Sequence, residues 1–67
     1  MNADNILFDA IKAYNGIGNC RLEAIEAPTV KEACHVEFSN GSSISVMPDL
    51  TAVYYGLDAK TYRIVFY

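Results

Sequence analysis

The chain has 67 residues, 52% of them hydrophobic, and a formal net charge of −3 at neutral pH. Its isoelectric point is near 4.7. That length allows one domain, residues 1–67. The acidic balance argues against nucleic acid, whose binding rests on Lys and Arg neutralising phosphates, and against an anionic membrane surface.

A chain this short buries only about 60% of the surface its unfolded form exposes, so its own core is marginal. An apolar content this high then implies that some apolar area is buried against another chain. The five basic residues (Lys12, Arg21, Lys31, Lys60, Arg63) form no run, and the eight carboxylates are equally dispersed. The N-terminus has no basic region followed by a long apolar core, so no signal peptide is expected. No apolar run approaches the roughly 20 residues of a membrane helix. Cytoplasmic residence with reduced Cys20 and Cys34 is the expectation.

Residues 3–15 read as an amphipathic helix. Ala3, Ile6, Leu7, Ala10, Ile11 and Tyr14 recur at spacings of three and four. Asn2 is the expected N-cap, Asp4 and Lys12 complement the helix dipole, and Gly16 is the expected residue just past the C-cap. Phe8 falls off the stripe and marks either a wider buried face or an outside contact. Residues 15–19 form a loop; its Gly16-x-Gly18 follows a helix and lacks Lys, so it is not a phosphate loop.

Residues 20–27 are ambiguous between helix and strand and read best as an edge strand, with Glu23 and Glu26 as solvent-facing guards. Pro28 stops it. Thr29 to Glu32 has the spacing of a capping box, but a turn into the next strand is preferred. Residues 33–39 and 43–47 form the clearest hairpin. Parity selects its turn: a three-residue loop, Ser39-Asn40-Gly41 with Gly41 left-handed, puts Cys34, Val36, Phe38, Ile44 and Val46 on one face. Pro48 ends the second strand, and Asp49 could cap a short helical turn over 49–55. Otherwise residues 51–55 pair with 61–67 through a four-residue loop that sets Tyr55 opposite Tyr62 and Val53 opposite Ile64. Tyr54, Arg63, Val65 and Tyr67 then share the opposite face. The run 61–67, apolar on both faces except at Arg63, reads as the spine of the fold. No internal repeat is evident.

No constellation reads as chemistry. His35, the only histidine, sits beside Glu37 on a strand, with Cys34 pointing to the other face, so the two cannot share one ion. No metal site, cofactor or catalytic residue is expected. The serines cluster around a turn, where backbone reasons suffice. Five of the eight aromatic residues lie from Tyr54 onward, and aromatic residues are enriched at interfaces.

The sequence therefore predicts an α+β fold: an N-terminal helix packed on a small, mostly antiparallel sheet of four to five strands. One helix covers one face, leaving the other for a partner. The expected function is a small, acidic, non-enzymatic protein-binding module. By analogy of size and charge, it would be an inhibitor or accessory protein of the phage or mobile-element type. Tyr54, Tyr55, Tyr62, Arg63, Val65 and Tyr67 are the expected contacts, with a larger protein or a second copy in a homodimer. The alternative is a small enzyme or ligand-binding subunit whose site is completed across a homodimer.

Overall fold

A computed structural model describes residues 2–67. One helix, α1 (Ala3–Tyr14), is followed by five strands: β1 (Cys20–Ile25), β2 (Cys34–Glu37), β3 (Ser43–Val46), β4 (Ala52–Tyr55) and β5 (Thr61–Phe66). They form one sheet in the order β1-β5-β4-β3-β2, and every neighbouring pair is antiparallel. The chain is thus a meander of β2 to β5, with β1 added beside the last strand. The α+β architecture stands, with five strands, and residues 20–25 are an edge strand as the sequence suggested.

The helix begins and ends as its sequence dictates. The Asn2 side chain accepts the Asn5 N–H at 2.9 Å, satisfying one of the donors a helix start leaves unpaired. At the other end Gly16 has φ +83°. The Gly16 N–H donates to the Ala13 carbonyl at 3.0 Å and the Ile17 N–H to the Lys12 carbonyl at 2.8 Å, the paired bonds of a Schellman stop. Phe8 is 61% exposed, so it does not widen the buried stripe.

Three hairpins of the meander share one construction. The β2–β3 turn is the three-residue Ser39-Asn40-Gly41 loop, closed by Phe38 N–H to Ser42 carbonyl at 2.9 Å, as parity required. The β3–β4 turn is Pro48-Asp49-Leu50, closed by Met47 N–H to Thr51 carbonyl at 2.9 Å. It is a tight turn, not the helical turn considered for 49–55. The β4–β5 turn is Leu57-Asp58-Ala59, closed by Gly56 N–H to Lys60 carbonyl at 3.0 Å. The third residue of each loop is left-handed: Gly41 (φ +96°), Leu50 (φ +71°) and Ala59 (φ +64°). The middle residue caps each loop: Asn40, Asp49 and Asp58 accept the N–H two residues on, from Ser42, Thr51 and Lys60. The unit recurs every nine residues, a local repeat hidden because only one of the three left-handed positions is glycine.

That third turn corrects the expected pairing of β4 with β5. Tyr54 lies opposite Tyr62, Val53 opposite Arg63 and Tyr55 opposite Thr61. A four-residue loop would have placed Tyr55 on Tyr62; the chain instead closes Gly56 on Lys60 and shifts the register by one residue. Such a shift moves one strand's side chains to the other face relative to its neighbour. Tyr54, Tyr62 and Ile64 therefore share the helix side. Tyr55, Arg63 and Val65 share the other.

The core is centred on β3 and β4, not on the β5 run that the sequence marked as the spine. Ile44, Val46 and Val53 are all 1% exposed or less. Each such side chain contributes roughly 1.5–3 kcal/mol. On one side α1 packs Ile6 and Ala10 against Ile44, Val46, Ala52 and Ile64. On the other, Val53 is buried although α1 is absent there. The connection 26–33 supplies the cover. It joins β1 to β2, the two opposite edges, across about 19 Å at 4.8 Å per strand spacing. Eight residues reach about 26 Å when extended, which leaves little slack for a detour. The strap carries Pro28 and Val30 onto a groove lined by Val53, Met47 and Thr51, and the Ala33 N–H donates to the Val46 carbonyl at 2.8 Å. The face expected to lie bare is therefore covered over β3 and β4 by the chain itself.

Candidate functional site

A helix is about 10 Å across and strands are about 4.8 Å apart, so α1 spans two to three strands. It lies over β2, β3 and β4. A polar ring fixes it there. The Ser42 hydroxyl donates to Asn40 Oδ1 at 2.6 Å, Asn40 Nδ2 donates to the Tyr14 hydroxyl at 3.0 Å, and the Tyr14 and Ser42 hydroxyls lie 3.2 Å apart. The Tyr14 ring stacks on Phe38, with centroids 3.9 Å apart. At the helix start, the Cys34 thiol donates to the Ala3 carbonyl at 3.6 Å, and burial pushes that thiol up from its ordinary range.

The consequence is an open strip over β1 and β5 on the helix side. A groove of about 240 Å³ runs between Ala10, Ala13 and Tyr14 of the helix and Cys20, Leu22, Tyr54 and Ile64 of the sheet. Its walls are apolar. Leu22 is 49% exposed, and Phe66 and Ile17 are also exposed. Tyr54 and Tyr62 extend the aromatic row from Phe38 and Tyr14: the Tyr14–Tyr54 and Tyr54–Tyr62 centroids are 6.0 and 6.3 Å apart. The Tyr62 hydroxyl donates to Asp58 at 2.7 Å. That bond lowers the Asp58 carboxyl and raises the Tyr62 phenol.

The opposite face is polar at the same strands. Glu23 takes Arg63 on one carboxylate oxygen and Arg21 on the other, both at 2.5 Å. The two guanidiniums hold the Glu23 carboxyl below its usual range, Arg63 most strongly. Glu23, one of the two expected solvent-facing guards of the edge, is thus paired with two neighbours. Tyr55 is half-buried, and burial, with Glu32 of the strap second, raises its phenol.

The six residues expected to bind a partner therefore fall into two groups. Tyr54 and Tyr62 stand on the helix side and are half-buried. Tyr55, Arg63 and Val65 stand on the other face, and Tyr67, at the chain's end and 80% exposed, continues their parity. The structure does not bring them into one patch. Leu22, Ile64 and Phe66 line the open strip and were not singled out. The signal was present: Leu22 and Ile64 share parity with Tyr62 once the sheet order is known, but nothing in the chain states that order.

His35 sits between two partners, Nδ1 at 2.9 Å from Ser45 Oγ and Nε2 at 3.3 Å from Glu37. The order acid–His–Ser resembles a nucleophile relay. However, Ser45 is 1% exposed, sealed in the sheet beneath the strap, and a nucleophile must meet its substrate. Cys20 and Cys34 are free and lie on opposite edge strands, about 19 Å apart, well beyond the roughly 7 Å a disulfide spans. Among the described residues no cluster of three potential metal ligands occurs, and no helix is long and apolar enough to cross a membrane. No protein family, no curated protein and no solved structure matches this chain.

Proposed function

We propose that the protein is a small non-enzymatic binding module that acts on a larger protein, as an inhibitor or accessory factor. One observation carries this reading: α1 lies over β2 to β4 only, leaving Leu22 and Ile64 in a shallow apolar groove beside an aromatic row, with Phe66 exposed on the same strip. Interfaces place aromatic and aliphatic anchors in such settings with polar groups around them. Here Tyr62 and Asp58 supply a polar rim. Of the sequence-derived contacts, Tyr54 and Tyr62 belong to this surface. We place the module in a reducing, cytoplasmic setting, because its two thiols stand too far apart to bridge within the chain.

The test is an affinity capture from the source cells, comparing the wild type with the double variant Leu22→Asp/Phe66→Asp. Both side chains are exposed, so the variant keeps its fold, checked by circular dichroism. The expected result is a stoichiometric protein partner held by the wild type and lost from the variant. A partner held equally by both overturns the assignment of this surface.

A further inference from the structure

We propose that two copies of this chain pair through β1, edge to edge and antiparallel, across a two-fold axis at Leu22. The preceding reading concerns the helix-side groove; this one concerns the backbone edge beside it and names a second copy as its occupant.

The backbone phase comes first. The Tyr67 N–H donates to the Asn19 carbonyl, and Cys20 lies opposite Phe66. In an antiparallel ladder, bonded residues alternate, so Asn19, Arg21, Glu23 and Ile25 turn their peptide groups toward β5. Cys20, Leu22 and Ala24 turn theirs outward, where β1 has no neighbour. These three residues present six unpaired donors and acceptors, a template for another strand. Of the two expected guards, Glu23 is paired with Arg21 and Arg63, and Glu26 lies beyond the strand's last residue, Ile25.

The side chains then choose the register. A two-fold axis perpendicular to the sheet keeps like faces together, so outward residues must pair with outward residues. With Leu22 on the axis, Leu22 meets its own copy, Cys20 meets Ala24, and Arg21 of each copy lies opposite Glu23 of the other. Each Glu23 would then sit in a row between its own Arg63, its register partner on β5, and the other copy's Arg21. Shifting the axis to Glu23 or to Arg21 sets two like charges directly opposite, which destabilises. One register is thus favoured by charge complementarity, and it buries the half-exposed Leu22 at the centre. The far edge, β2, is less suited. It is four residues long against six for β1, and His35 and Glu37 already bond each other there.

The experiment is sedimentation equilibrium of the purified protein, whose protomer is 7.4 kDa. The expected result is twice that mass at micromolar concentration. Leu22→Pro removes an outward N–H that bonds nothing within the chain, so the fold should survive, while both hydrogen bonds at the axis are lost. Dimerisation is expected to weaken about a hundredfold. Arg21→Glu and Glu23→Lys each set like charges across the axis and are expected to be monomeric alone. Mixing the two chains restores opposite charges and is expected to recover a heterodimer. Under mild oxidation Leu22→Cys is expected to form a covalent dimer, the paired Cα atoms being about 5.5 Å apart, whereas wild-type Cys20 is not. A monomeric wild type overturns the inference, and the groove reading is still judged by its own capture experiment. A dimer that persists in Leu22→Pro, or one that cross-links through wild-type Cys20, also overturns it.

Discussion

The two halves of the sheet are built from similar residues and have opposite fates. β3 and β4 are covered by α1 on one side and by the strap 26–33 on the other, and their Ile44, Val46 and Val53 are sealed. β1 is left largely open, with only Cys20 packed against the core, and β5 buries Ile64 but leaves Phe66 and Arg63 exposed. One helix of twelve residues and one extended segment are not enough to enclose five strands. Stability is therefore concentrated in the meander, and the free surface is concentrated at β1 and β5.

The largest losses are expected from the covered half. Ile44→Ala is expected to cost about 2–5 kcal/mol, which approaches the whole stability of a domain this small, whereas Leu22→Ala should cost under about 1 kcal/mol in the monomer. Urea denaturation followed by circular dichroism measures both; equal losses would show that the halves are not distinct. Next in size is the turn series. Gly41→Ala is expected to lose about 1–2 kcal/mol, the cost of a left-handed residue with a Cβ. The new Cβ meets only Leu57 Cδ2, at an ordinary 3.6 Å, so the cost is one of backbone alone. Ala59→Gly reverses the argument and should gain about 0.5–1 kcal/mol, read as a raised melting temperature. Tyr14→Phe removes the hydroxyl that ties the helix to Asn40 and Ser42 and should lose about 1 kcal/mol.

The smallest effect is that of pH. Glu23, Asp49 and Asp58 are all held below the ordinary carboxylate range, by Arg63 and Arg21, by Thr51, and by Tyr62 with the Lys60 N–H. A folded-state pKa below the unfolded one means the unfolded chain binds more protons, so this stabilisation is present above the unfolded carboxylate pKa. It is lost as pH falls through the lowered folded values. The urea midpoint should be level above about pH 5 and fall below about pH 4. Glu23→Gln should flatten the part of that slope that belongs to the open half.

Local features were readable from the residues. Asn2, Gly16 and the three-residue Gly41 turn follow from capping chemistry and parity, which act within a few positions. The β4–β5 register was not readable, because it depends on Ala59 accepting a left-handed backbone that its residue type disfavours. The strap was hidden for another reason. Residues 26–33 have no periodicity, and their role appears only when β1 and β2 are known to be opposite edges. The bare face is expected opposite the helix; the open strip lies instead on the helix's own side, where one register shift places Tyr54 and moves Tyr55 away. The tyrosines are the more numerous residues, but Leu22 and Phe66 are the exposed side chains of the strip.

The pairing of β1 with β5 also sets an order of events. Each turn of the meander joins strands that are close in sequence, so β2 to β5 assemble from local contacts. β1 must find residues from Thr61, opposite Ile25, to Phe66, opposite Cys20, near the far end of the chain. Loop closure of that length favours late arrival. Leu22→Ala and Ala24→Gly are then expected to speed unfolding and leave the folding rate unchanged, as stopped-flow chevrons would show. During synthesis β1, with its exposed Leu22 and Ile25, emerges before the meander, and its template β5 emerges after β2, β3 and β4. Until then β1 waits unpaired.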